Sequence, residues 1–465
     1  MRVRARSVFH EGAAALKLLR DSDPRLAVPQ HLPRHSFLQV LRRSAVSIDD
    51  RLPRARSARR ADVFPAGVVL VTPYPTGEAV PVHGVANYAQ ALARALEVSG
   101  ASVEVWANRP GDLVPAEAVD AGVRVFRVWR RGLWVGLDLW RILQERRPAI
   151  LHVQIEHFVY GGMPGFLSLL AFLLVSRFTA QKVILTLHHV IGMKDLSGEL
   201  LRESGLPRSV RLAGMLVRVS TVLLHRLANE IIVHENVFRH RLVEEGGLGP
   251  ARIHIVSHGV PRAEPLAAAN GAAKRVLCFG YLKWYKGIDI ALRAFREVAR
   301  DFPQWRLVVA GGLPPGLEES HPHRRFLAHL RELAAPLGDQ VEFTGYVANA
   351  ELPLLFQQAD VVLFPYRVLF AFSGPLALAI GARRPFIVSE ALKSLLPTWP
   401  YWSRNTPEDW ARSMRILMRS GELRARAERL ADVLASTREW SEIAVQTLTV
   451  YRQAESLEAA LNSSR

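Results

Sequence analysis

The chain has 465 residues, 49% of them hydrophobic, which is enough apolar side chain for two ordinary domains with separate cores and too much for a disordered chain. Its single cysteine, Cys278, excludes disulfides and thiolate metal sites and fits a reducing compartment. Sixty lysines and arginines against 43 acids leave a formal charge of +17, a balance that favours anionic partners such as nucleotide sugars, acidic lipid surfaces or nucleic acid.

Residues 1–62 carry Arg2, Arg4, Arg6, Arg42, Arg43, Arg51, Arg54, Arg56, Arg59 and Arg60 with few acids and no sustained apolar period. They read as a basic, flexible arm with a short helix near 13–19. Its charge suits an anionic membrane surface, and the lack of interleaved aromatics disfavours nucleic acid. The arm has no secretory apolar core, so a cytoplasmic protein is expected, with peripheral contact at the inner face of the membrane as the arm's use. Asp21-Ser22-Asp23 stands just before Pro24 and reads as a turn rather than a metal site.

After the arm, a buried strand is predicted over 67–72, a loop over 73–84 and a helix over 86–97. Strands recur at 103–106, 123–128, 150–153, 183–187, 231–233 and 253–256, with helical patterns at 134–146, 163–175, 210–227 and 238–245. The run 163–175, MPGFLSLLAFLLV, is too short to span a bilayer and suits a buried helix or an interfacial one. Such alternation predicts a parallel sheet covered on both faces, a first doubly wound, Rossmann-like domain over 63–258. The tract 259–274, GVPRAEPLAAANGAAK, reads as a linker. A second such domain follows over 275–435, with strands at 276–279, 307–310, 341–343, 361–364 and 386–388. Its helices are predicted at 288–300, 324–335, 351–358, 374–382 and 407–419, and a last helix over 440–457 lies in a C-terminal segment, 436–465. Ligands of open α/β sheets bind outside the carboxyl ends of the strands, so the two domains are expected to share a cleft.

The most informative stretch is 276–295, VLCFGYLKWYKGIDIALRAF. An apolar strand ends at Gly280, a loop carries Lys283 and Lys286, and a helix opens near Ile288 with Ile288, Ala291, Leu292, Phe295 and Val298 on one face. First-turn amides lack intrahelical partners and carry partial positive charge, so a phosphate placed there gains hydrogen bonds and a favourable dipole. A solvated basic loop would show the same spacing.

These segments resemble glycosyltransferase family 4, in which a strand-end glycine is followed six residues later by Lys-Gly, here Gly280 and Lys286-Gly287. HGVANYAQALARAL, RPAILHVQIEH and VILTLHH in the first half, and RLVVAGG, VEFTGYV and ADVVLFPY in the second, match successive family motifs in order between about residues 67 and 455. Tyr281 stands where most members have arginine, as in the branch that reads GYL...YKG and PYR...SG. The resemblance implies the GT-B architecture: two Rossmann-like, doubly wound α/β domains facing a cleft, with the last helix crossing back to the first domain. It also implies a retaining transferase that moves a sugar from a UDP- or GDP-linked donor to a hydroxyl of a glycan or lipid-linked acceptor, as in polysaccharide biosynthesis, without metal or other cofactor.

Carried over position by position, the resemblance makes Lys286 and His188 catalytic, the lysine on the departing diphosphate and the histidine beside the transferred sugar. Gly84, Gly280, Tyr281, Lys283, Tyr346, Arg367, Ser373, Gly374, Pro375 and Leu376 would bind the donor, the amides after Ser373 receiving the diphosphate and the Tyr346 backbone meeting the base. Glu156 and His157 would face the acceptor. His83 replaces a family glycine, and His189 replaces an acidic residue. Phe370 and Leu378 occupy the places of two family glutamates eight residues apart. Without those carboxylates the leaving phosphate oxygen would itself take the acceptor's proton. The same losses would fit a catalytically silent homologue kept as a binding or scaffold partner.

Overall fold

The computed structural model describes residues 64–75, 84–109, 116–156, 159–179, 182–203, 209–262, 274–313 and 321–463. The basic arm, His83, His157 and most of the predicted linker lie outside them. The first lobe runs β1 (Phe64–Val71), α1 (Gly84–Val98), β2 (Ala101–Asn108), β3 (Ala116–Asp120), β4 (Val123–Trp129), α2 (Val135–Arg146), β5 (Ile150–Ile155), α3 (Gly162–Ser176), β6 (Lys182–Leu187), α4 (Gly198–Glu203), α5 (Val210–Leu227), β7 (Glu230–Val233), α6 (Asn236–His240) and β8 (Ile253–Ile255). The second runs β9 (Lys274–Phe279), α7 (Ile288–Val298), β10 (Trp305–Ala310), α8 (His321–Ala334), β11 (Val341–Gly345), α9 (Leu352–Gln357), β12 (Val361–Phe364), α10 (Gly374–Gly381), β13 (Phe386–Ser389), β14 (Trp402–Ser403), α11 (Pro407–Arg419) and α12 (Gly421–Ser436), and the chain closes with α13 (Trp440–Ser463).

Each lobe is one sheet with helices on both faces. The first sheet has the order β3-β4-β2-β1-β5-β6-β7-β8 and is parallel apart from β3. Alternate residues of β1 go to opposite faces: Val69 and Val71 pack with α2, α3 and α5, whereas Val68 and Leu70 pack with α1 and α13. The second sheet, β11-β10-β9-β12-β13-β14, is parallel throughout. After β9 the chain builds outward through β10 and β11, then returns to place β12 on the other side of β9. That reversal opens a crevice at the carboxyl ends of β9 and β12. The back-crossing helix is also present, with the Tyr451 hydroxyl of α13 bonding His152 of β5 at 2.7 Å.

Four expectations about elements need correction. The antiparallel strand β3 was not predicted, because its alternation is of small and exposed side chains; a left-handed Ala121-Gly122 turn folds it onto β4. The helix α12 was missed because its buried positions are Ala427, Ala431 and Ala435, four apart but too small to register as an apolar stripe. The predicted helix over 238–245 changes at Arg241 into a wide π turn, Arg241–Glu245. The run 163–175 is divided between the two readings offered for it: Phe166, Leu169, Phe172 and Leu173 are buried in α3, and Met163, Leu167, Leu174 and Val175 are exposed.

Candidate active site at the lobe boundary

The crevice of the second sheet is built by the loops after β9 and β12. Gly280 ends β9 at φ +131°, and a Cβ there would stand 3.0 Å from the Lys286 Nζ and 3.6 Å from Cγ of Pro375. A single 3-10 turn, Trp284–Lys286, brings the lysine back under the strand end. Gly287 then adopts φ +66° where a Cβ would meet the Pro365 carbonyl oxygen at 1.9 Å. The Lys-Gly pair is therefore a place where two loops touch, and a side chain on the second residue would force them apart.

Lys286 is only 8% exposed. Its ammonium donates to the neutral Tyr366 hydroxyl at 2.6 Å, and that hydroxyl lies 2.9 Å from the Ser373 hydroxyl. Burial, with repulsion from Lys283 added, brings the ammonium pKa down to about 7. No carboxylate among the described residues pairs with it. A cation desolvated without a counter-charge, next to a helix N-terminus, is a site that an anion completes.

The other donor-binding expectations fare unevenly. Ser373 caps α10 by accepting the Leu376 amide at 3.3 Å. Pro375 has no amide hydrogen and the Leu376 hydrogen is spent on Ser373, so the expectation that both offer amides to a diphosphate is corrected; Gly374 holds the amide at the mouth of the helix. Arg367 is corrected too. Its guanidinium is held by Asp289 at 3.0 and 2.7 Å and by the Trp284 carbonyl at 2.6 Å, which neutralises it and pins the lysine loop. Tyr281 and Lys283 are half-buried in that loop. Tyr346 is 42% exposed past the end of β11, and its nitrogen lies 3.4 Å from where a Gly312 Cβ would point, so the ends of β9, β10 and β11 converge. Gly84 is exposed at the start of α1, with open space where a Cβ would be.

On the first lobe, His188 follows β6 but does not present a free ring. Its Nε2 lies 2.8 Å from the Gln154 amide and its Nδ1 3.2 Å from the His234 Nε2, while Tyr88 packs edge-on against it. The Val256 carbonyl can only accept, so His234 donates to it from Nδ1, and the single ring proton of a neutral His188 serves either Gln154 or the bare Nε2 of His234. Both His188 nitrogens thus face side chains of the first lobe, Gln154 and His234. His189 faces the second lobe: it lies 3.5 Å from Glu156 and edge-on to Phe370. The Phe370 ring also meets Tyr285, and Leu378 is half-buried on α10, so neither of the family's glutamate places supplies a carboxylate.

His152, His188 and His234 are buried, and the half-buried His258 stacks on Phe372 of the second lobe at 4.9 Å. Desolvation holds His152 and His258 at about 3, His234 at about 4 and His188 well below its ordinary value. Unfolded rings take a proton near 6.5, so below that pH the unfolded chain binds protons that the folded one refuses. Stability should be intact above pH 6.5 and fall steeply as pH drops towards 4, by roughly 1.4 kcal/mol per ring per pH unit. Urea melts at half-unit steps from pH 7 to 5 would show this, and a flat profile there would contradict it.

Sequence reasoning missed Arg241. Standing at the head of the π turn, it donates from Nη1 to the carbonyls of Val190 at 2.8 Å and Leu369 at 2.6 Å, one on each lobe. Its Nη2 approaches Asp195 Oδ2 to 2.7 Å, off the line of a hydrogen bond, so that contact is Coulombic. Beside it the Val190 amide donates to Phe370 O at 2.7 Å, and His189 bridges to Ala371. Arg438 and Glu235 close the other end of the seam at 2.6 Å. An arginine inside an otherwise helical pattern carries no signal of this in one dimension.

Among the described residues no group of three or more His, Cys, Asp or Glu side chains is placed to hold a metal ion, and no helix is long and apolar enough to cross a membrane. Residues 273–419 match the family described as Glycosyl transferases group 1, and residues 82–264 match Glycosyltransferase Family 4, together more than two thirds of the chain. The D-inositol 3-phosphate glycosyltransferase of Kineococcus radiotolerans is 29% identical over 432 residues, 82% of this chain and 92% of that protein. Sucrose-phosphate synthase of Thermosynechococcus elongatus has a similar structure, with a TM-score of 0.67 at 16% identity over 85% of this chain and 100% of that one. HepE of Anabaena, solved in complex with UDP-glucose, gives 0.58 at 14% identity over 84% and 100%. These likenesses show the shared GT-B fold.

Proposed function

The chain belongs to glycosyltransferase family 4, and from that premise we propose that it is a retaining enzyme moving a sugar from a UDP- or GDP-linked donor to a hydroxyl of a glycan or lipid-linked acceptor. In this reading it serves polysaccharide biosynthesis in the cytoplasm, at the inner face of the membrane. The observation that carries the reading is the buried Lys286 ammonium, paired with no carboxylate among the described residues, where Gly280 and the first turn of α10 converge. A donor diphosphate set against that ammonium and the Gly374 amide replaces the water both groups lost on folding. HepE in complex with UDP-glucose supports a UDP-linked donor for this chain as well.

In the transfer, the bond from the anomeric carbon to the diphosphate breaks as the acceptor oxygen bonds that carbon on the same face. The acceptor's proton passes to the leaving phosphate oxygen. That route suits a site in which Phe370 and Leu378 offer no base and His188 is neutral and faces Gln154 and His234. The Lys286 ammonium offsets the negative charge that develops on the leaving group.

Melting the protein with millimolar UDP, GDP and ADP tests the binding half. One of them should stabilise the fold by roughly 2–3 kcal/mol if present at about a hundred times its Kd. Affinity should be highest below pH 7 and weaken as pH rises above it, because the anion needs the protonated lysine; calorimetry at pH 8 should register proton uptake. No shift with any nucleotide would favour the silent homologue. A panel of donors, with sugar phosphates and inositol phosphate among the acceptors because a relative is named for one, then reads the transfer and its stereochemistry.

A further inference from the structure

Three neighbouring helices, α2, α3 and α5, cover one face of the first sheet, and each leaves an apolar stripe on its outer side. On α3 that stripe is Met163, Leu167 and Leu174, continued past its end by Phe178, which is 86% exposed. On α5, Leu212, Met215, Val219 and Leu223 recur at three- and four-residue steps and are all at least 40% exposed. Leu133, Trp134 and Leu137 extend the face at the start of α2. More than half of the large apolar side chains exposed among the described residues lie here, where scattered ones would need no explanation but a continuous patch does.

Charge says what covers it. Arg211, Arg218 and Arg226 are exposed beside the α5 stripe, Arg177 at the end of α3, and Arg131 and Arg141 around α2. Neither α3 nor α5 contains an acid; of the two acids of α2, Asp138 is buried against Arg130 and Glu145 is exposed in its last turn. A second copy meeting this face about a two-fold axis would set arginine against arginine. We propose that the face docks on an anionic lipid bilayer, its leucines, Met215 and Phe178 entering the acyl boundary and its arginines resting on the phosphates. This surface is formed by folded helices.

Docking also puts the bilayer next to the chemistry. Behind α5 a cavity lined by Val217, Thr221 and Val222 reaches Ile155 and Leu187 at the ends of β5 and β6, and then His189 at the seam. A hydroxyl acceptor held in the membrane by an apolar tail would approach from this side. That last step rests on the transfer reading; the docking does not.

The test is flotation of the full-length chain with vesicles of phosphatidylcholine alone and of phosphatidylcholine with one third phosphatidylglycerol. The wild type should float with the anionic vesicles and be partly released by salt. The variants Leu167→Glu/Leu174→Glu and Met215→Glu/Val219→Glu should each lose binding by about tenfold or more, with nucleotide-induced stabilisation unchanged to show an intact fold. Arg211→Glu/Arg218→Glu should weaken binding to anionic vesicles and reduce its salt dependence. Lys286→Met should float like the wild type whether or not it transfers sugar, which separates docking from catalysis. Wild-type flotation of all the helix variants, flotation of no form, or a wild-type dimer that the glutamate variants convert to monomers would each overturn the proposal.

Discussion

Lys286→Met should lower sugar transfer by about 10²–10³-fold while raising the melting temperature. The two effects come from one cause. The folded ammonium is buried, bonded to a neutral hydroxyl and held at about 7, so at neutral pH the native state bears the cost of a partly protonated, desolvated cation. Methionine fills similar volume without that cost, and Tyr366 keeps its contact with Ser373. The same cation is what the departing diphosphate needs, so the lost charge appears in the transition state. The folded pKa of Lys286 lies below the unfolded value of about 10.4, so the wild type gains stability as pH rises from 7 towards 10, and the methionine variant should not. Undiminished turnover in the variant would remove Lys286 from the mechanism, and a drop in melting temperature would show that the lysine is a structural tie.

Arg241→Leu should be far more destabilising, by about 3–5 kcal/mol in urea melts. It strips a donor from Val190 O and Leu369 O and removes the charge facing the partly buried Asp195. Burial already raises the Asp195 pKa against the pull of Arg241, so Asp195→Asn should cost much less than loss of the arginine. Scattering should show the Arg241→Leu protein more extended, because the strap between Val190 and the loop after β12 is cut. A cost below about 1 kcal/mol would mean the lobes are held mainly by Arg438–Glu235 and by the apolar cluster that spans them.

Both residues bear on how far the chain could be read without its fold. Lys286 was legible because a strand, a glycine, a basic loop and a helix start lie within twenty residues, and their periodicities and special backbone angles are properties of local sequence. Arg367 was placed in the same site, and the error is instructive: an arginine next to a phosphate loop is equally a partner for a helix-start acid, and Asp289 took it. His188 was located correctly at a strand end, but its ring nitrogens face Gln154 and His234, which reach it from two other strand ends.

The amino-acid sequence by itself determined two layered α/β lobes, the strand and helix order apart from β3, β14, α4 and α12, and the glycine and lysine of the anion loop, because apolar period and backbone permissiveness act over a few residues. The tertiary structure alone decided that Arg241 straps Val190 to the Leu369 carbonyl, which lies 128 positions beyond the arginine, that Arg367 is neutralised, and that α3 turns an apolar stripe outward. Those outcomes depend on which distant groups meet when the sheets close, and the free energy of a buried charge or an uncovered stripe is set by that company rather than by its neighbours in the chain.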